Sequence, residues 1–160
     1  MQTDPNPANF YYDLKKDRLN LIDFGAAREY NKTFVDLYMK VVFSAAMNDK
    51  DKVLKYSKEL GFLTGMENET MNEAHYYATH AVGEPFNISN PDIFDFGNQN
   101  LTKKIYKLLP VMLKHRLKAP PTEVYSLHRK LSGCYLICIK LKARVKSKKL
   151  FFDIHEKYYK

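Results

Sequence analysis

Three oxygen-bearing side chains near the start of the chain have spacings that suit work on a phosphate. Asp4 is followed five positions later by Asn9. Asp23-Phe24-Gly25 comes directly after an apolar run from Leu19 to Ile22. Phosphoryl transfer needs metal ions bridging the phosphate oxygens, and such ions take hard oxygen ligands. An Asp at the end of one strand and an Asn on a neighbouring loop supply those ligands from two directions. Asn9 and Asp23 are therefore the candidate Mg2+ ligands. Asp4 is the candidate catalytic carboxylate, placed to orient a nucleophile or to share the metal. Phe24 is expected to be an apolar anchor, and Gly25 to allow the sharp turn after the ligand.

The plainer reading makes Asp4 and Asn9 turn residues around Pro5 and Pro7, with Asp23 a helix cap. A lone D-F-G would not decide between the two, and the chain holds a second one, Asp95-Phe96-Gly97. That copy has no Asp-x4-Asn before it and lies among Pro, Asn and Gly, so it is read as a loop turn. The first copy follows Asp-x4-Asn and a strand–turn–strand, which is the order of parts in protein kinases.

The loop itself is not that of an ordinary kinase, because Gln2-Thr3 stands where His-Arg would precede the Asp. The run Met1-Gln-Thr-Asp-Pro-Asn-Pro-Ala-Asn-Phe10 resembles the UbiB family of atypical kinase-like proteins, in its mitochondrial coenzyme Q (ubiquinone) branch. Leu21-Ile-Asp-Phe-Gly-Ala-Ala-Arg-Glu-Tyr30, Phe62-Leu-Thr-Gly65, Pro110-Val-Met-Leu-Lys-His-Arg-Leu117 and Tyr125-Ser-Leu-His-Arg-Lys130 extend the resemblance over nearly the whole chain. It implies Mg-dependent ATP binding and hydrolysis in support of coenzyme Q biosynthesis, on the matrix face of the mitochondrial inner membrane. The implied partners are ATP, coenzyme Q biosynthesis proteins and anionic membrane lipid, with a homodimer left open. It also implies that Met1 is internal and that the chain is the C-lobe of a longer protein. The glycine- or alanine-rich phosphate loop, the strand Lys, its helix Glu and the family's K-x-G-Q are not recognisable here. This half of the nucleotide site would lie upstream, and the isolated chain is expected to be inactive.

Composition sets the frame. The chain has 160 residues, 45% hydrophobic and 28% charged, which suits one domain, residues 1–160, with a real core. The net charge of +8 is concentrated late, at Lys140, Lys142, Arg144, Lys146, Lys148 and Lys149. The bland reading is a solvated helix end. The functional reading is contact with an anionic membrane surface. No RNA or zinc motif accompanies the charge, so no nucleic acid partner is expected. Cys134 and Cys138 read as small core hydrophobes. No segment reaches the length of an apolar membrane span, and no targeting segment is recognisable.

The elements that must position the three oxygens are a short antiparallel pair, Asn9 to Tyr12 and Leu19 to Ile22, followed by helices. Thr33 is a plausible N-cap for a stripe from Phe34 to Ala46. Asn48 or Asp49 caps a second helix that Gly61 stops. A third helix runs from about Asn68 to Val82, and residues 85–100 form a loop. A fourth helix covers about Leu101 to Leu117, kinked or split at Pro110. A fifth opens at Thr122-Glu123. It is apolar all round from Cys134 to Ile139, so it should be the buried one. Leu150 to Tyr159 forms a last short helix. The fold class is therefore mainly α, a kinase-like C-lobe with an N-terminal β-hairpin carrying the metal ligands.

A helix begins within ten residues of Gly25 and no Ala-Pro-Glu follows. The peptide-docking segment of a protein kinase is therefore absent or rebuilt, which counts against ordinary protein kinase activity. The contrasting reading is a non-catalytic helical interaction module that binds a partner protein or lipid. His75 and His80, five apart, do not share a helix face, and Arg28 reads as a structural ion pair or a phosphate contact.

Overall fold

A computed structural model describes residues 1–160. Two antiparallel strands, β1 (Phe10–Asp13) and β2 (Arg18–Leu21), pair with Phe10 opposite Leu21 and Asp13 opposite Arg18. Asp13 Oδ1 accepts from the Lys15 and Lys16 amides and so folds the turn between them. Asp17 completes it at φ 48°. Asn9 lies one residue outside the expected strand, in a single 3-10 turn, Pro7–Asn9. The prolines explain the shift: Pro7 lacks the N–H a ladder needs and pre-sets φ for a turn.

The rest is mainly helical, as expected: α1 (Lys32–Ala46), α2 (Lys50–Leu60), α3 (Glu69–Gly83), α4 (Leu101–His115), α5 (Thr122–Lys140) and α6 (Ser147–Tyr159). Asn31, not Thr33, caps α1: its Oδ1 accepts from the Thr33 amide at 2.8 Å. Asp49 and Asn68 cap α2 and α3 in the same way. Gly61 ends α2 at φ 87°, a left-handed conformation that a Cβ would penalise. The helix α4 runs through Pro110 as one element. A single missing amide removes only one bond of the ladder, and the other turns hold.

Helices α1, α2 and α3 pack on one another, and α4 packs on α3. Phe34, Val41, Leu60 and Val124 form one core, drawn from α1, α2 and α5. Phe94, Phe96 and Leu101 form a second, joined by Tyr135, Cys138 and Ile139 of α5. The expected loop at 85–100 is not structureless. Its strand β3 (Phe94–Asp95) pairs antiparallel with β4 (Arg144–Val145), a contact too long in sequence to read from either piece.

Two expectations fail on burial. The apolar stretch from Cys134 to Ile139 is not the most buried part of the chain. Leu136 is 52% exposed, and of α5 only Val124 is buried. The helix packs toward the Asp4 loop, toward α1 through Val124, Leu127 and His128, and toward Phe96 through Tyr135 and Cys138, while Leu136 is left outside these contacts. The basic run is a helix C-terminus only at its start. Lys140 ends α5, Arg144 sits in β4, and Lys148 and Lys149 lie in the first turn of α6, where the helix dipole disfavours cations. Neighbouring acceptors offset that: Lys148 Nζ reaches the Asn90 carbonyl at 2.8 Å and Asp92 at 3.2 Å, and Lys149 pairs with Asp153. No helix is long and apolar enough to cross a membrane.

Candidate functional site

Asp4 and Asn9 come together because the chain folds back over Pro5 and Pro7. Asn6 Oδ1 accepts from the Ala8 amide, and the Asn9 amide donates to the Asn6 carbonyl at 3.0 Å. That closes the turn and aims the Asn9 side chain at Asp4: Nδ2 donates to Asp4 Oδ2 at 2.9 Å. Asn9 is buried. Its carbonyl accepts the Ile22 amide at 2.9 Å, which ties this turn to the residue just before Asp23. The candidate ligands thus flank the open end of the hairpin, where its first strand begins and just past its second. They do not lie on the strands.

Asp23 is exposed, and its Oδ1 accepts from the Gly25 amide at 2.8 Å. The segment after it returns to the Asp4 loop. The Thr3 amide and Thr3 Oγ1 both donate to the Ala26 carbonyl, at 3.0 Å and 2.7 Å. The Arg28 amide donates to the Met1 carbonyl at 2.8 Å. Residues 1–4 and 26–28 therefore form one braced pair that carries Asp4, with Asp23 three residues before its second segment.

The two D-F-G copies have the same local turn and opposite environments. Asp95 Oδ1 accepts from the Gly97 amide at 2.9 Å, as Asp23 does from Gly25. Phe96 is 4% exposed and stacks edge-on against Phe94, whereas Phe24 is 67% exposed. The expected apolar anchor is thus not Phe24 in this chain, because no element here lies over it. It is the loop copy that anchors a core.

Asp4 is not free. Oδ2 takes the Asn9 amide, and Oδ1 pairs with Arg129 Nη2 at 3.2 Å. Asn9 Oδ1 and Asp23 Oδ2 accept no hydrogen bond within the chain, which leaves them as the candidate ligand atoms. This suits a magnesium ion, which keeps several water and phosphate ligands and takes only one or two carboxylates from protein. No group of three or more His, Cys, Asp or Glu side chains gathers anywhere, so a cage made wholly of such residues is not what the chain offers.

The other sequence candidates are structural. Arg28 pairs with no carboxylate. Its Nη1 donates to the Thr122 carbonyl and to Ser126 Oγ, at 3.3 Å and 3.2 Å. His75 is buried against Phe62 with Nε2 2.8 Å from Ser57 Oγ, and burial pushes its pKa down to about 4. His80 meets Asn48 and Asn87. Cys134 and Cys138 are free thiols, half-buried, with the Cys138 thiol pushed up by burial.

Sequence reasoning missed the part α5 plays at this site. Arg129, Lys130 and Gly133 all touch the Asp4 loop. One signal was available. A helix-interior glycine costs about 1 kcal/mol relative to alanine, so Gly133 marks a position where something comes too close for a Cβ.

Residues 1–57 match the ABC1 atypical kinase-like domain. Over 99% of its length the chain is 51% identical to the atypical kinase coq-8, mitochondrial, of Caenorhabditis elegans, of which it covers 21%. It is 48% identical to the atypical kinase COQ8B, mitochondrial, of Danio rerio, covering 25% of it. It is 44% identical to the atypical kinase COQ8, mitochondrial, of Schizosaccharomyces pombe, covering 26% of it. The chain spans about a quarter of the length of these relatives.

Proposed function

Because the chain belongs to the UbiB family of atypical kinase-like proteins, we propose that it is the metal-binding portion of a mitochondrial Mg-ATP-dependent enzyme that supports coenzyme Q biosynthesis. The observation that carries this reading is the Asp4–Asn9 hydrogen bond at 2.9 Å, tied through Ile22 to Asp23. It holds Asp4 against Asn9 and places Asp23 one residue past the Ile22 tie, and neither Asn9 Oδ1 nor Asp23 Oδ2 accepts a hydrogen bond within the chain.

Asn9 Oδ1 and Asp23 Oδ2 would hold Mg2+, which would supply charge neutralisation at the nucleotide phosphates. Asp4, held by Asn9 and Arg129, orients the attacking hydroxyl or water. The phosphate loop and the nucleotide-binding Lys come from the remainder of the full-length protein, and residues 1–160 act as one domain, its C-lobe. The relatives' mitochondrial names support the compartment, and the matrix face of the inner membrane is what the resemblance at Gln2 to Phe10 implies. The test is Mg-nucleotide hydrolysis by the full-length protein. Asp23→Ala should abolish it with the fold intact, and unchanged hydrolysis would remove the mechanism.

A second reading has its own observation. An apolar cavity of about 630 Å³ opens between α1, α3, α4 and α5, lined by Val41, Met71, Ile105, Leu109, Leu131 and Leu136 among others. Such a hollow suits a helical module that receives a partner protein or lipid. Thermal stabilisation of the full-length protein by Mg-ATP, lost in Asp23→Ala, separates the two, since a pure interaction module shows none.

A further inference from the structure

One face of α5 lies along the loop that carries Asp4. Thr122, Ser126, Arg129, Lys130 and Gly133 fall on that face, at the three- and four-residue steps that one side of a helix requires. Each meets the site region. Thr122 and Ser126 take Arg28, and Ser126 also meets the Tyr30 hydroxyl at 2.9 Å. Arg129 pairs with Asp4. Lys130 Nζ donates to Gln2 Oε1 at 3.1 Å and lies 5.2 Å from the centre of the Phe10 ring. At Gly133 a Cβ would stand 2.0 Å from Pro5 Cγ and 2.6 Å from Pro5 Cβ.

The loop is therefore held from two sides. Gln2, Asp4 and Pro5 each have a partner on α5, while Thr3 is held by Ala26 from the segment after Asp23-Phe24-Gly25. The Gly133 contact differs from ordinary packing. Its neighbour is a proline ring fused to the backbone, and such a ring cannot rotate aside as a flexible side chain would. Any side chain at 133 must displace Pro5, and Pro5 carries Asp4 with it through their shared peptide bond.

We propose that α5 is the template that sets the catalytic-type loop, with Gly133 and Lys130 as its positioning residues. Gly133 fixes how closely the helix approaches Pro5. Lys130 fixes the register of the loop along the helix, through Gln2 and Phe10. This deepens the nucleotide-site reading of Asp4 and rests on it for its catalytic half. The placement of the loop is a separate claim that needs no activity to check.

Hydrogen exchange tests the placement in the 160-residue chain and in the full-length protein. The Thr3, Asn9 and Ile22 amides, bonded to Ala26, Asn6 and Asn9, report on the loop. Amides of α2 and α3 report on the rest. Gly133→Ala should speed exchange of the loop amides by about tenfold and leave α2 and α3 unchanged. Lys130→Gln should do the same more weakly, and Lys130→Arg should restore protection. If Gly133→Ala exchanges throughout, the Lys130 pair carries the test. Unaltered loop exchange in both Gly133→Ala and Lys130→Gln overturns the template.

Hydrolysis by the full-length protein tests the positioning role. A misplaced catalytic group should lower kcat by about ten- to a hundredfold, with KM for Mg-ATP nearly unchanged. Loosened exchange with kcat intact overturns that role. A wild-type protein that hydrolyses no Mg-nucleotide removes the proposed function instead, and exchange alone then decides the template.

Discussion

Acid should loosen this chain well before its carboxylates titrate, and two buried histidines, His75 and His128, are the main cause. Burial is the first reason the His75 pKa falls from 6.5 to about 4, and the charge of Arg116 adds to it. His128, which lies 6.0 Å from Phe62 between ring centres, is pushed down to about 4 by burial as well. Both groups are neutral in the folded and unfolded chain above pH 7, so neither term acts there. As pH falls through 6.5 the unfolded chain takes up protons that the folded chain refuses until about pH 4. Stability is therefore lost across that window. At pH 5 the unfolded-state gain for one such histidine is about 2 kcal/mol, from the separation of the two pKa values. The pair together gives at most about 4 kcal/mol. With a urea slope of about 2 kcal/mol per molar, the midpoint should fall by about 1–2 M between pH 7 and pH 5. Asp36, Asp49 and Glu73 are also held below the usual carboxylate range, by Lys32, Lys52 and Lys50 respectively. Their losses begin below pH 5, so the measurement stops there. The control is His75→Gln, which keeps a hydrogen-bonding group near Ser57 but cannot titrate. Its midpoint at pH 7 can differ from wild type, but its shift from pH 7 to pH 5 should be smaller by up to about 1 M, because His128, His80 and His155 are still lowered by burial. An equal shift in wild type and His75→Gln would refute the argument.

Two further outcomes follow from burial and capping. Phe96→Ala should cost about 3–5 kcal/mol in urea unfolding, because it empties the core beside Phe94 and Leu101, while Phe24→Ala should stay within about 0.5 kcal/mol. Equal effects would mean that Phe24 is covered in solution. Asn31→Ala removes the acceptor for the Thr33 amide and should lower stability by about 1 kcal/mol, whereas Thr33→Ala should cost less if Asn31 alone caps α1.

What the sequence made legible was local chemistry. The caps at Asp49 and Asn68, the stop at Gly61 and the helical period of α1 to α3 depend on residues a few positions apart, and each appears where its pattern places it. The turn around Pro5 and Pro7 was readable for the same reason, but the Asp4–Asn9 hydrogen bond it closes was not foreseen. What escaped were contacts between distant parts. Arg129 meets Asp4 across 125 positions, and Phe94 faces Val145 in a strand pair only two residues long on each side. Phe24 and Phe96 show the limit most plainly. The same three letters give the same Asx turn, and burial is then decided by elements that the letters do not contain. The error over Cys134 to Ile139 is of that kind: an apolar helix surface states a demand for cover, not that this chain supplies it.

The hairpin has one consequence for how such a chain must be made. A lone two-stranded ribbon is marginal in water, and this one leaves both outer edges unpaired, with Tyr11, Tyr12, Leu14, Leu19 and Ile22 exposed. Bare apolar edges are templates for adding another strand, including one from a neighbouring copy during synthesis. Expression of this stretch alone should favour inclusion bodies, and added lysines along β1 would act as gatekeepers. An unpaired edge of this kind is most exposed to misassembly while the polypeptide is still emerging.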